Sequence, residues 1–456
     1  MVKKKNRLMI LICLLLGVSL VTVIVKNYKV EKEKISNIAK TIIDEDAESI
    51  TSIDWTYSSS SLSFVKTDDI WYLEADDKFP VDQETIQEII EDIAKVDASF
   101  IIEDVSDYNQ YGLDSPKATV SFKIGEDEYI IKFGNYSSMD EERYVDIDDG
   151  NVYLLSEDIM DVFDKDVDDF FKYEEVPDVR DFSEMLISGE VDLDVVYVED
   201  NDYTYSTLFT YFLKKGSKYL TLGNDEVETL AKDITNISFN DYLTYSASDE
   251  DLSVYGMDEP RITVKFNYKD EDENDQTFTI YLSSDVIPED EDDDFNCYAR
   301  IDGSENIYSI SKGTFNEFVN ASYDSLRPSE VILLDFKEVT QIDIELDDEE
   351  YVIYASVDKD ENITYTFNDE EAEFDNVISA LEDLEINEYS EDIPGKTKQL
   401  KLTIHLNSEK YPSLTLEFYK YNSEYSMLVF DNSYKALLSR EEVVDLIETI
   451  NKVVLD

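Results

Sequence analysis

Apolar and polar residues alternate along most of the chain, in short stretches separated by acidic turns. Alternation with a period of two predicts half-buried β-strands, and it is clear at 61–66 and 70–74, around a turn at 67–69. A helix is predicted next, because apolar residues there recur at three- and four-residue spacing. These residues are Ile86, Ile89, Ile90 and Ile93.

The succession of strands, a helix and further strands occurs three times. Alternating stretches lead into helix-like periodicity at 191–234 and again at 342–384. Antiparallel hairpins with appended helices indicate an α+β fold of repeated modules rather than a doubly wound sheet.

A duplicated segment supports this division. Residues 111–122 read YGLDSPKATVSF, and residues 255–266 read YGMDEPRITVKF. The separation is too long for a solenoid repeat and suits whole duplicated domains. The last third of the chain has IPGK roughly in that place, at 393–396, so we interpret it as a divergent copy.

The second half of each module ends in a similar way. A hairpin is predicted within 144–156, 298–311 and 426–439, and an amphipathic run follows each one. The Ser that closes each hairpin is a predicted helix N-cap, and Glu442 completes a capping-box pattern with Ser439. The predicted modules are 47–172, 173–328 and 329–456.

The N-terminus has the pattern of a signal anchor. Four basic residues in the tail 1–7 precede an uncharged apolar run at 8–25. As a helix this run is about 27 Å long, close to the hydrocarbon thickness of a bilayer. The basic flank predicts a cytoplasmic tail and an extracytoplasmic bulk, with the lipid bilayer as the partner of residues 8–25. A cleaved signal peptide is the alternative, since Gly17 and Ser19 are small, but the apolar run continues well beyond them. A short juxtamembrane helix or stalk is predicted at 26–46.

The net charge of the chain limits the classes of partner that it can bind. The 456 residues include 107 acidic and 39 basic side chains, a formal net charge of −68 at pH 7. Such a chain repels phosphate backbones, so we expect no nucleic-acid binding, and it attracts cations and basic proteins. A hydrophobic fraction of 42% and an aromatic fraction of 12% indicate folded cores rather than a disordered acidic polymer.

Few side chains are suited to catalysis. His405 is the only histidine and lies on the polar face of an alternating stretch. Cys13 lies in the apolar N-terminal run and Cys297 is alone in the remainder, so no disulfide framework is expected. Trp55, Trp71 and the many tyrosines could form a sugar-binding platform, but their alternation along strands favours core packing instead. Phosphate-binding loops and nucleophile elbows are absent from the sequence, and we predict a non-enzymatic protein without catalytic residues, cofactor or dedicated metal site.

Acidic clusters and the repeated turn are the remaining candidates. The run 288–294 and the turns 146–151 and 302–306 offer oxygen ligands to weakly bound divalent cations, although EF-hand spacing is absent. Gly112 and Gly256 in the repeated turn favour a left-handed backbone, so a structural role is expected there, with partner docking as the alternative.

Five short motifs stand in the first module. They are WYL at 71–73, FPVD at 79–82, YGLDSP at 111–116, YV at 144–145 and VYLLS at 152–156. Together they resemble the bacterial domain of unknown function 4340 (DUF4340) family. The second module departs from this pattern, because Tyr219 and Leu220 stand in place of WYL, and the third module matches weakly.

The resemblance implies an extracytoplasmic accessory role, because members of that family are often encoded beside ABC-transporter components. It supplies no catalytic residue. We therefore expect a single-pass membrane protein that acts as a non-catalytic accessory or scaffold subunit of an ABC-type envelope transport system, in contact with its permease or ATPase. A cell-surface module that binds cations, glycans or a basic protein is the alternative.

Overall fold

Strands dominate the structure. The computed structural model describes residues 34–285 and 295–455. The chain divides into two compact units, the first ending at Glu174 and the second beginning at Glu175. One antiparallel sheet lies in the first unit and two lie in the second. The predicted antiparallel strands in repeated modules are confirmed. The α+β class overstated the helices, because the described residues form a β-rich fold with few of them.

The first sheet contains nine strands, in the spatial order β1-β5-β9-β8-β7-β6-β2-β3-β4. Their bounds are β1 (Lys34–Asp44), β2 (Ser52–Tyr57), β3 (Ser60–Thr67), β4 (Ile70–Leu73), β5 (Lys95–Glu103), β6 (Ala118–Ile124), β7 (Asp127–Ser137), β8 (Glu142–Asp146) and β9 (Val152–Leu155). The predicted acidic turn between β3 and β4 is confirmed. Asp68 and Asp69 both have positive φ, as the right-handed twist of a two-residue hairpin favours.

The second sheet also has nine strands, in the order β13-β12-β11-β10-β15-β16-β17-β18-β14. Their bounds are β10 (Phe182–Gly189), β11 (Leu193–Tyr197), β12 (Tyr211–Lys215), β13 (Lys218–Thr221), β14 (Tyr242–Thr244), β15 (Ile262–Lys269), β16 (Asp275–Ser284), β17 (Cys297–Ile301) and β18 (Ile307–Ile310).

The third sheet again has nine strands, in the order β22-β21-β20-β19-β24-β25-β26-β27-β23. Its strands are β19 (Val339–Leu346), β20 (Glu349–Val357), β21 (Ile363–Phe367), β22 (Glu370–Glu371), β23 (Ile386–Tyr389), β24 (Lys398–Leu406), β25 (Ser413–Lys420), β26 (Tyr425–Phe430) and β27 (Tyr434–Ser439).

Eight strands follow one common order in all three sheets. The first strand of the module pairs with the strand that follows the turn: β2 with β6, β10 with β15, and β19 with β24. The strand directly after the first helix crosses to the far side and pairs with the last strand: β5 with β9, β14 with β18, and β23 with β27. The internal repeat therefore extends to the third module, although that module lacks the repeated turn.

Helices cover the sheets. The α-helices of the described residues are α1 (Gln83–Ala94), α2 (Asn224–Thr235), α3 (Asp249–Val254), α4 (Lys312–Val319), α5 (Asp375–Glu382) and α6 (Arg440–Val454). In α1 the predicted apolar face is buried, and the side chain of Asp82 accepts a hydrogen bond from the Glu84 backbone N–H at 3.1 Å. Burial of an isoleucine side chain contributes about 1.5–3 kcal/mol, so this face fixes the helix on the sheet.

The three predicted N-caps differ in outcome. Ser311 caps α4 by accepting a hydrogen bond from Thr314 N–H, as expected. Ser439 precedes α6 but its side chain makes no capping hydrogen bond, so the predicted capping box was wrong. After Ser156, 3₁₀ turns at Met160–Phe163 and Val167–Phe170 replace the expected helix. The rings of Phe163 and Phe170 both pack 5.8 Å from Trp55, and this tertiary packing prevails over local helical periodicity.

The predicted stalk contains a strand. From Lys34 the chain forms β1, which pairs antiparallel with β5 between Lys34–Glu103 and Asp44–Lys95. The helix or stalk expected at 26–46 is thus replaced by an edge strand from Lys34 onward. The predicted anchor at 8–25 lies outside the described residues. Within 34–285 and 295–455, no helix combines the length and apolarity needed to cross a bilayer.

Candidate functional site

His405 belongs to a cross-strand polar pair. Its Nε2 lies 2.8 Å from Oδ2 of Asp343, and the Gln341 amide also donates to that carboxylate. Partial burial favours a higher pKa for Asp343, but the hydrogen bonds from Gln341 and His405 outweigh it and hold the pKa below its usual value. Neighbouring Leu402 and Ile404 are buried while His405 is half exposed, which confirms the predicted alternation. The contacts of His405 are those of a structural pair.

Cys297 is enclosed in the second sheet. It is buried at the start of β17, and burial raises the pKa of its thiol to about 11. A thiol in this state remains protonated at neutral pH and is a poor nucleophile.

The acidic turns already have protein partners. Lys132 lies 3.1 Å from Asp146 and 3.2 Å from Asp148, and in the second sheet Asp302 accepts a hydrogen bond from the Tyr281 hydroxyl at 2.7 Å. No group of three or more His, Cys, Asp or Glu side chains suited to a metal occurs among the described residues. The acidic run 288–294 lies outside them.

The repeated turn packs against its own module. Gly112 and Gly256 have φ of 75° and 65°, so the left-handed backbone predicted for both is present. A Cβ on Gly112 would lie 2.7 Å from Asn135, and one on Gly256 would lie 2.6 Å from Ser283. In both modules the turn covers a small apolar cluster, and Tyr111 belongs to the first of these. Its geometry is that of a structural element.

The tryptophans are core residues, as predicted. Trp55 and Trp71 expose 2% and 3% of their surface, and Trp55 stacks on Phe64 with ring centroids 5.5 Å apart. Neither ring is available as a platform for a ligand.

A cleft between the second and third sheets is the strongest candidate site. It has a volume of 360 Å³, and tyrosine is the most frequent residue in its wall. We call it the tyrosine cleft, and its seven tyrosines are Tyr203, Tyr205, Tyr219, Tyr323, Tyr389, Tyr411 and Tyr434. Sites for small molecules occupy roughly 300–1,000 Å³, so the tyrosine cleft suits a small ligand.

The loop between β11 and β12 forms one side of the tyrosine cleft. Tyr203 stacks in parallel on Tyr219, with ring centroids 4.0 Å apart and an interplanar angle of 9°. The Tyr411 hydroxyl donates to the Tyr203 carbonyl at 2.8 Å, and Lys410 pairs with Asp202 at 3.1 Å. These contacts tie the loop of the second sheet to the third sheet.

Arg327 introduces a positive charge among the tyrosines. Its guanidinium lies 3.2 Å from the ring centroid of Tyr389 and 5.5 Å from those of Tyr323 and Tyr434. Its ion pair with Asp324 is long, at 3.5 Å, and Asp324 is 82% exposed, so this pair contributes little. Burial raises the pKa of Tyr389, and the charge of Arg327 only partly opposes that shift. The guanidinium is thus held mainly by aromatic faces.

Glu330 places a carboxylate in the same cleft. Its Oε2 is buried and has no hydrogen-bond partner among the described residues. Burial raises the pKa of Glu330, and the like charges of Glu226, Asp225 and Glu385 raise it further. A desolvated acceptor without a donor costs free energy, so this carboxylate is suited to accept a hydrogen bond from a ligand.

The link between the two sheets positions both charged groups. Ser329 N–H donates to Glu226 Oε1 at 3.1 Å, and the Ser329 carbonyl accepts from Ile386 N–H at 2.6 Å. Val331 N–H donates to the Leu384 carbonyl at 3.1 Å. These bonds hold the link between α2 and β23.

Sequence analysis did not identify the tyrosine cleft. Its residues come from six separate stretches, and tyrosine is common throughout this chain, so no local pattern distinguished them. The one usable signal was a concentration of aromatic residues at 203–212, where three tyrosines and two phenylalanines occur within ten residues.

Comparison with known proteins identifies a family. The sequence model of a family described as "Domain of unknown function (DUF4340)" matches residues 71–181 and 217–403, more than half of the chain. No match was found among curated proteins or among solved structures.

Proposed function

The chain belongs to the DUF4340 family, and we propose from this premise that it is a non-catalytic accessory or scaffold protein of the cell envelope. One observation carries the proposal: a single eight-strand order is built three times along the chain. Such repetition provides several similar surfaces for assembly rather than one reactive centre. The protein contacts that occupy His405 and Cys297 agree with a non-catalytic role.

The proposed location is the cell membrane, with residues 8–25 as a single-pass anchor and the three sheets outside the cytoplasm. Support comes from the length of the apolar run and from its basic flank. Protease added to intact protoplasts should remove a C-terminal tag, whereas a cytoplasmic control protein should survive. Replacement of Leu14, Leu15 and Leu16 by Lys should release the chain from alkali-washed membranes, and Leu15→Ile should not. Retention of the triple-lysine variant would refute the anchor.

The proposed partner is the permease or ATPase of an ABC-type transporter. Support comes from the family resemblance, which implies an accessory role beside such transporters. Affinity purification of the tagged full chain from solubilised membranes should recover transporter subunits above the level found with an unrelated single-pass protein. Repeated recovery of none would contradict the transporter association.

A second candidate function is a surface module for cations, glycans or a basic protein. The net charge of −68 favours cations and basic proteins, and the tyrosine cleft favours a small polar ligand. Millimolar calcium should raise the melting temperature of a cation-binding module more than magnesium does. An unchanged melting temperature would remove cations from this proposal.

A further inference from the structure

We propose that the tyrosine cleft binds a small neutral saccharide, a mono- or disaccharide. This inference rests on the second candidate function, the surface module, and is independent of the accessory role. It is drawn from three features of the cleft: its aromatic walls, its charges of both signs and its size.

Aromatic rings line both sides of the tyrosine cleft. On one side Tyr203 is 39% exposed and stacks on Tyr219. On the other side Tyr389 and Tyr434 are in contact, with ring centroids 5.4 Å apart. The C–H face of a pyranose ring is apolar and flat, so it packs on tyrosine rings, while the hydroxyl groups point sideways to polar partners.

The tyrosine cleft contains both hydrogen-bond donors and hydrogen-bond acceptors. Arg327 offers guanidinium N–H donors, and Glu330 offers a carboxylate acceptor whose Oε2 has no donor among the residues that the structure describes. The Tyr434 hydroxyl also lines the cleft and can donate or accept a hydrogen bond. A ligand that both donates and accepts is needed to satisfy this combination.

The opposite charges disfavour simple ions. Three charged residues of the described chain line the cleft: Arg327, Glu330 and Asp431. A cation attracted to the two carboxylates meets the positive charge of Arg327, and an anion attracted to Arg327 meets both carboxylates within a strongly acidic protein. Sugar hydroxyls are neutral and act as donors and acceptors at once, so they satisfy groups of both signs without a charge penalty. The volume of 360 Å³ is at the lower end of the range for ligand sites, which limits the ligand to one or two rings.

The test uses the full chain in a polyoxyethylene detergent, because alkyl glycoside detergents would themselves present a sugar. Saturation-transfer NMR is recorded with maltose, cellobiose and N,N′-diacetylchitobiose, each at millimolar concentration, and any sugar that binds is titrated. We expect saturation transfer to at least one of them. Tyr203→Ala removes a stacking face and Glu330→Gln removes the charged acceptor, so each should weaken binding roughly tenfold or more.

Tyr354→Ala is the matched control, because Tyr354 is 56% exposed on β20 and lies outside the tyrosine cleft. It should leave binding unchanged, and circular dichroism should show that all variants are folded. The absence of transfer to every sugar, or binding that neither cleft variant weakens, would overturn the inference. Trilysine tested in the same way separates the two proposals. Binding of trilysine alone contradicts the saccharide and supports a surface module for basic proteins, and binding of neither contradicts both the saccharide and the basic-protein module.

Discussion

Glu330 is held where its charge is unfavourable. Burial and the nearby Glu226, Asp225 and Glu385 raise its pKa in the folded state. As pH rises through this raised pKa, the folded state loses a proton that the unfolded chain has already lost, so the free energy of unfolding decreases. The buried carboxylate of Glu330 therefore lowers the stability of the folded protein at neutral pH. The same carboxylate provides a hydrogen-bond acceptor for the proposed ligand.

We predict that Glu330→Gln raises the melting temperature at pH 7 by on the order of 1–2 °C, because the penalty for the buried charge is removed. The difference should vanish below about pH 4, where both states of the wild type are protonated. Glu388→Gln is the control, since this exposed side chain on β23 measures the general effect of removing one negative charge. Equal effects of both variants at all pH values would show that burial of Glu330 is not responsible.

Gly112 of the repeated turn can be compared with Gly125, which lies in the turn between β6 and β7. Gly112 and Gly125 both have positive φ, but only at Gly112 would a Cβ meet another residue, Asn135 at 2.7 Å. We expect Gly125→Ala to cost about 1–2 kcal/mol for the left-handed backbone, and Gly112→Ala to cost more because Asn135 must also move. Both tryptophans, Trp55 and Trp71, lie in this sheet, so tryptophan fluorescence during urea unfolding of the full chain reports on it selectively. Identical midpoints for the two variants would exclude the steric contribution.

The residues that precede α1 and α6 differ in whether their side chains cap the helix. Asp82 caps α1 through a side-chain hydrogen bond, whereas Ser439 precedes α6 without one. We predict that Asp82→Ala destabilises the first sheet by about 1 kcal/mol, and that Asp82→Asn, which keeps an acceptor, has a smaller effect. Ser439→Ala should change the unfolding free energy by less than about 0.5 kcal/mol. A loss of about 1 kcal/mol in Ser439→Ala, measured by circular dichroism, would indicate a cap that the structure does not contain.

The strand that follows the first helix is the most informative element of the module. It does not pair with its neighbours in sequence but crosses to the opposite side of the sheet, as β5, β14 and β23 all do. The sequence pattern did not identify these three strands, and periodicity carries no information on which strand pairs with which. Repetition of this crossing in three modules is stronger support for a common origin of the fold than the turn motif, which occurs only twice.

Within the second unit, Tyr205 links the two sheets. Its ring packs against the core of the third sheet, with its centroid 5.5 Å from that of Phe430, and its hydroxyl accepts from Leu333 N–H at 3.4 Å. Burial raises the pKa of Tyr205, in keeping with an enclosed phenol. The second and third modules are therefore joined by packed side chains as well as by the chain itself.

We predict that Tyr205→Ala lowers the free energy of unfolding by about 2–4 kcal/mol, because it leaves a cavity at this junction. Tyr354→Ala removes an exposed ring of the same size and should cost less than about 0.5 kcal/mol. Urea unfolding of the full chain, followed by circular dichroism, measures both. A midpoint for Tyr205→Ala that equals that of the control would mean that the loop of the second sheet does not stabilise the junction.

Local sequence was sufficient for features that depend on neighbours along the chain. The alternation around His405, the buried isoleucine face of α1 and the left-handed glycines were all predicted correctly, because burial on one face imposes a period of two or 3.6 on nearby residues. The edge strand β1 was missed, since its polar residues do not alternate clearly and its pairing with β5 depends on residues about sixty positions away.

The tyrosine cleft depended on the tertiary structure. Periodicity could assign its tyrosines to strands and loops, but it could not show that Tyr203 and Tyr434 approach one space, or that Arg327 and Glu330 enter it. That arrangement arises when two sheets pack and the irregular stretch 327–335 is fixed between them by hydrogen bonds. Secondary structure is encoded largely by spacing within one segment, whereas a cleft between sheets is created by contacts between segments that are distant in the chain, and such contacts leave no periodic trace in the sequence.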